Sequence, residues 1–263
     1  MSVPALAQSQ VSETRESHTH LLRCALALDE SRAYWERVDL DNSRPRAEVA
    51  FEEYWFGAKS LPWVKLLIAN MRARFDAFPE ALAVIQRWHD MLPETRAAIC
   101  HWHVQLTDPI YRRFSGDYLT GRHHALRPEV RRTSVITWLA DQVPESWTLA
   151  TRKQMASKLL STAFAAGLVG GRRDPRPLVF PRINNDALSY LLHLLREVEF
   201  EGPLVDNPYL RSVGLEGSTL AARLRSLPTL RYRRTGDVID FGWRHPTLAA
   251  WAEYDLFSHG RAS

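Results

Sequence analysis

Four prolines decide which folds are open to the first half of this chain. Pro62, Pro79, Pro93 and Pro109 each stand at the head of a stretch whose apolar residues recur in steps of three and four. Proline lacks a backbone N–H and has a fixed φ, so it suits the first turn of a helix and breaks an interior one. The spacing therefore predicts a series of helices over 63–78, 80–91, 94–106 and 108–120. Ser60 is placed to cap the first and Asp108 the last, whose apolar stripe is Ile110, Tyr111, Phe114, Tyr118 and Leu119. The aromatic residues Trp88, Trp102, Tyr111, Phe114 and Tyr118 have the spacing of buried helix faces and read as core.

Upstream, Leu21, Leu22, Ala25, Leu28, Tyr34 and Trp35 mark a helical pattern from about Ser17, broken by Asn42-Ser43-Arg44-Pro45. A second helix, 47–56, ends at Gly57-Ala58-Lys59. With the helix 63–78 it has helix-turn-helix spacing, which a plain bundle hairpin also has. Lys65, Asn70, Arg72 and Arg74 lie on the polar side of that second helix. Residues 1–16 are small, polar and aperiodic, and are expected to be disordered.

The second half changes character. Helices over 130–141 and from Thr148 or Thr151 to Ala166 lead to Gly167, and then to Leu168-Val169 and Leu178-Val179-Phe180 on either side of a basic Gly- and Pro-rich turn. After a helix from Asn185 to about Val198 the order recurs. A short helix over 207–213, a turn, and a helix over 219–227 with Ser218 as cap precede two strands around Thr235-Gly236-Asp237. Helix, helix, basic hairpin is the winged-helix order. The expected fold is mainly α, a helical bundle with tandem winged-helix modules carrying short β-hairpin wings. Its parts are a disordered start over 1–16, a helical domain over 17–125, and winged-helix-like modules over 126–200 and 201–263.

Composition sharpens the function. Thirty of the 34 basic residues are arginine, whose planar fork suits phosphates and guanine edges; a GC-rich genome would also produce this bias. Their placement points to double-stranded DNA as the partner. In the first module Arg152, Lys153, Gln154 and Lys158 are expected to face outward, with Arg172, Arg173 and Arg176 on the wing. In the second, Ser218, Thr219, Arg223 and Arg225 belong to the reading helix and Arg231, Arg233 and Arg234 to the wing. A winged helix used only for protein contacts has the same pattern. Catalysis finds no support: GxxxxGK[ST], GxGxxG, GxSxG and HExxH are absent. His101 and His103 are two apart and share no helix face. No metal or cofactor is expected. Cys24 and Cys100 are too few for a disulfide scaffold and read as small buried side chains in a reduced, cytoplasmic protein. The start lacks a secretory pattern and no window reaches the apolar length of a membrane span.

Three segments carry a resemblance. Ala25-Leu-Ala-Leu-Asp-Glu-Ser-Arg-Ala-Tyr-Trp35 is similar to the N-terminal helix of the BrxA proteins of BREX phage-defence systems. Gln105-Leu-Thr-Asp-Pro-Ile-Tyr-Arg-Arg-Phe-Ser-Gly-Asp-Tyr-Leu119 resembles that family's middle helices. Ala166-Gly-Leu-Val169, Pro181-Arg-Ile and Leu188-Ser-Tyr-Leu-Leu192 are similar in layout. The resemblance covers residues 18–200 and implies a helical, non-enzymatic DNA-binding protein encoded beside a methyltransferase, an ATPase and a phosphatase-like protein. Residues 201–263 depart from the shorter members. A transcriptional regulator built from the same modules, or a helical adaptor for protein partners, also fits the residues.

Overall fold

Helices begin where the prolines stand. The computed structural model describes residues 11–39, 46–236 and 238–258; the predicted break at 42–45, residues 1–10 of the start and Asp237 of the last turn lie outside them. After strand β1 (Val11–Ser12) come α1 (His20–Arg23), α2 (Leu28–Arg37), α3 (Arg46–Glu52) and α4 (Leu61–Met71). The last continues through a wider π turn over Arg72–Asp76. Next are α5 (Pro79–Arg87), α6 (Pro93–Thr107) and α7 (Pro109–Arg113). A second π segment, Phe114–Leu119, leads into α8 (Thr120–His123).

The remainder is β2 (Glu129–Val130), α9 (Arg132–Gln142), α10 (Leu149–Ala165), β3 (Arg176–Pro177), α11 (Asn185–Glu197) and β4 (Val198–Glu199). It ends with α12 (Pro208–Arg211), α13 (Gly217–Ser226), β5 (Leu230–Thr235), β6 (Val238–Trp243) and α14 (Leu248–Trp251). The protein is mainly helical with small two-stranded sheets. Among the described residues no helix is long and apolar enough to cross a membrane.

Burial of α6 organises the core. Residues Ala98 to Leu106 are buried throughout, polar side chains included. Most of those polar groups are satisfied in place, as a buried position demands, although the Gln105 side-chain oxygen has no partner among the described residues. The His101 ring lies 2.8 Å from the Tyr111 hydroxyl and 2.9 Å from that of Ser212. His103 bridges the Arg74 carbonyl and the Tyr190 hydroxyl at 2.9 and 2.7 Å. Trp102, Tyr111 and Phe114 are fully buried and Trp88 and Tyr118 pack against the same core, as their spacing predicts. Cys24 and Cys100 are free and buried.

Two arginines predicted or overlooked as surface cations are internal clamps. Arg74 is buried and donates to the carbonyls of Leu26, Cys24 and Ala25 at 3.1, 2.6 and 2.7 Å. It is removed from the polar face on which the sequence placed it. Lys65 pairs with Glu48 and Arg72 with Asp76, so no free cation remains there. Arg112 donates to the Gln105 and Thr14 carbonyls and faces Glu13, which also accepts from the Tyr209 hydroxyl.

That cluster ties down a segment expected to be disordered. β1 pairs in parallel with β4, and Glu13 is 5% exposed. A buried carboxylate needs donors, and Arg112, Tyr209 and the Glu201 N–H supply them. The predicted disorder therefore does not extend over residues 11–16.

Candidate nucleic-acid interface

The first basic surface is built on a small sheet behind two helices. β2 pairs antiparallel with β3, Glu129 opposite Pro177 and Val130 opposite Arg176. Val169 bridges Leu178 on the other side, and the Gly170 N–H donates to the Pro177 carbonyl at 2.8 Å. The segment 170–176 is thus an exposed turn held at both ends. Its cations are unevenly available. Arg172 and Arg173 are both exposed, and the Arg172 guanidinium sits over the Phe164 ring, 4.9 Å from its centre. Arg176 is 12% exposed at its side chain and donates to Asp174 at 2.9 Å. The Arg132 N–H donates to the other oxygen of Asp174 at 2.7 Å. Burial works the other way, yet these donors hold the Asp174 carboxyl below its usual range.

Helix α10 presents Ala150, Lys153, Gln154 and Ser161 outward and Met155, Leu159 and Leu160 inward. Arg152 lies on the inward side, part-buried, with a buried Nε that has no partner among the described residues. Lys158 is half-buried on the flank towards Cys24, whose thiol its charge affects. Of the cations predicted to face outward on this helix, Lys153 alone is fully exposed. Arg132 replaces what is lost: it lies across α10, donating to the Ser157 hydroxyl and the Lys153 carbonyl at 2.8 and 3.1 Å.

The second surface is α13 with its hairpin. β5 and β6 pair with Arg231 opposite Gly242, Arg233 opposite Asp240 and Arg234 opposite Ile239. Strand alternation puts Arg231 and Arg233 on the open face and Arg234 on the face shared with the half-buried Phe241 and Trp243. Arg234 donates to the Gly236 carbonyl at 3.0 Å. On α13, Arg225 is exposed, but Arg223 donates to the Ile183 carbonyl and the Asn185 side chain at 2.8 and 3.1 Å. Arg223 docks the helix and is unavailable as a contact.

The start of α13 also differs from expectation. The residue at its cap is Glu216, and Ser218 and Thr219 lie exposed in the first turn. Glu216 makes no side-chain cap and lies 3.6 Å from His124. A carboxylate there competes with any phosphate for the helix N-terminus.

The predicted DNA surface omits Arg127, and it omits Arg182 despite its closeness in sequence to Arg172, Arg173 and Arg176. Both omitted residues are exposed, on the turns that enter β2 and α11. Arg182 belongs to the arginine-rich segment that begins at Arg172, and Arg127 lies close in sequence to Arg131 and Arg132; the fold sets both on turns beside the two hairpins. Arg127, Lys153 and Arg173 make no side-chain hydrogen bond or ion pair with another described residue, and neither do Arg182, Arg225, Arg231 and Arg233. The Phe180 ring, which follows β3, stacks on His123 at 3.8 Å and lies against Gly214, just before α13. Gly214 has φ +75°, and a Cβ there would sit 2.7 Å from the ring. Among the described residues no group of three His, Cys, Asp or Glu could hold a metal ion.

No model of a protein family and no curated protein matches the chain. Among solved structures it is similar to the crystal structure of an uncharacterized protein from Magnetospirillum magneticum, with a TM-score of 0.57 and 16% sequence identity. The match covers 76% of this chain and 98% of that one. At that identity the likeness concerns the fold alone.

Proposed function

We propose that this chain binds duplex DNA without catalysis through two basic winged-helix surfaces, as a cytoplasmic accessory protein of a BREX-type phage-defence system. One observation carries the DNA reading. The order β2, α9, α10, Val169, exposed turn, β3, with β3 lying between β2 and Val169, supports a winged-helix reading. Helix α12, helix α13 and the β5–β6 hairpin repeat its second part. The cations free to meet phosphates are Arg127, Lys153 and Arg173 on one surface and Arg182, Arg225, Arg231 and Arg233 on the other. Such contacts give affinity that falls steeply with salt and carries little sequence information. The defence-system role, with a methyltransferase, an ATPase and a phosphatase-like protein as companions, rests on the sequence resemblance and is checked by the gene neighbourhood.

Fluorescence anisotropy with several unrelated duplexes at two salt concentrations tests the reading. The expected result is binding to every duplex that weakens steeply with salt. Strong preference for one palindromic duplex would favour a transcriptional regulator. Absence of binding at low salt would overturn both. It would leave an adaptor, a reading favoured by Phe51, Tyr54 and Trp63, exposed to 38%, 66% and 42% about the α3–α4 hairpin.

A further inference from the structure

A small polar cavity of about 140 Å³ lies where the amino-terminal segment meets α4 and α6, away from both basic surfaces. Its polar lining includes His18, His20, Asn70, Arg74 and Asp108. Asp108 is 3% exposed. One carboxylate oxygen, Oδ1, accepts the Tyr111 N–H at 2.9 Å and caps α7. The other, Oδ2, is buried without a hydrogen-bond donor among the described residues. A buried carboxylate oxygen in that state is disfavoured unless a donor reaches it.

The neighbours supply acceptors. His18 Nε2 lies 2.7 Å from the Thr107 carbonyl, which can only accept, so that nitrogen carries the hydrogen. His18 Nδ1 accepts the His20 backbone N–H at 3.4 Å and lies 3.8 Å from Asp108 Oδ2. Asn70 directs one of its two amide N–H groups to the Leu66 carbonyl, and its side-chain oxygen can accept. Leu21, Ala73 and Val104 close the cavity with apolar surface. The adjacent cation, Arg74, is committed to three backbone carbonyls.

We propose that this cavity binds a small primary amine as its ammonium ion, donating to Asp108 Oδ2 and the Asn70 side-chain oxygen, with a short alkyl group against Val104. An ammonium group carries three donors, a hydroxyl one and a carboxylate none. A chelated metal is not the occupant, because the described residues offer no group of three His, Cys, Asp or Glu able to hold one. Arg74, Arg23 and His20 lie within the electrostatic reach of the site and keep the affinity modest.

The test is an NMR titration of the full-length protein at neutral pH, following the ring resonances of His18 and His20. Ethylammonium chloride is the probe, with sodium chloride and ethanol as controls. A saturable shift specific to ethylammonium is expected, at least tenfold weaker in Asp108→Asn. Asparagine keeps the α7 cap while removing the charge. Asn70→Leu, at a different helix, should weaken binding as well and carries the comparison if Asp108→Asn does not fold. No saturable shift would overturn the proposal, as would a shift shared with ethanol or sodium chloride, or one undiminished in the variants. Duplex binding should be indifferent to ethylammonium, so this site and the basic surfaces stand or fall separately.

Discussion

At the scale of single residues, the polar side chains inside the helical core fix its energetics. Burial first, opposed by the bond to the Arg74 carbonyl, lowers the pKa of His103 to about 4, and burial lowers that of His101 to about 3. Their ordinary value is 6.5, so in the unfolded chain both take up protons that the native protein refuses. Their contribution to stability is complete above pH 6.5 and is lost as the pH falls through that value towards 4 and below. Urea denaturation between pH 7 and pH 4 should show steadily falling stability, and His103→Gln should flatten the slope; an equal slope in the variant would remove His103 from the account. Arg74 is the second such residue. Replacing it by leucine leaves three carbonyls at Cys24, Ala25 and Leu26 without a donor. With each buried unsatisfied group costing about 1–3 kcal/mol, Arg74→Leu should destabilise the protein by several kcal/mol in the same assay. Nothing in the sequence marks Arg74 as buried: it lies one helical turn from Asn70 and two positions from the exposed Arg72, and only the approach of the 24–26 segment claims it.

At the scale of elements, legibility follows length and capping chemistry. The helices begun by Pro79, Pro93 and Pro109, the Asp108 cap and the Thr148 cap are where proline and side-chain oxygen geometry put them. Two-residue strands have no periodicity to read, so β1, β2 and β4 escaped, and with them the anchoring of residues 11–16. The α13 start was misplaced by two residues because Ser218 is a better cap than Glu216, while Gly217, at φ +51°, starts the helix earlier. Contacts between elements were invisible as well. Gly116, inside the π segment after α7, lies against α12 so closely that a Cβ would come within 2.3 Å of Pro208 Cβ and 2.8 Å of its carbonyl oxygen. Backbone cannot yield as a flexible side chain does, so Gly116→Ala should cost about 1–3 kcal/mol by overpacking. Thermal denaturation measures it, and an unchanged melting temperature would mean that α12 moves freely on α7.

At the scale of the whole molecule, the question is which arginines are free to act outward. Of the residues the sequence assigned to a DNA surface, Arg152, Arg176 and Arg223 are turned or bonded inward and Arg172 lies on an aromatic ring. Clustering along the chain was thus a poor guide, because neighbours in sequence divide between opposite faces of a strand or helix. The same geometry separates the two surfaces as experimental units. The variant Lys153→Ala/Arg173→Ala removes two of the three free cations of the first, and Arg225→Ala/Arg231→Ala/Arg233→Ala three of the four of the second, all at exposed positions outside the core. Each phosphate contact removed should lower the slope of log affinity against log salt by about 0.9 on duplex DNA. If both surfaces engage one duplex, each variant loses slope roughly in proportion to its substitutions and neither loses binding altogether. Loss confined to the triple variant would assign the duplex to α13 and its hairpin and leave the first module for another partner. Arg223→Ala is the discriminating companion. It frees Ile183 and Asn185 from α13 and should lower the melting temperature, whereas the surface variants should leave it unchanged; a slope loss in Arg223→Ala without that thermal shift would return Arg223 to the DNA-facing set.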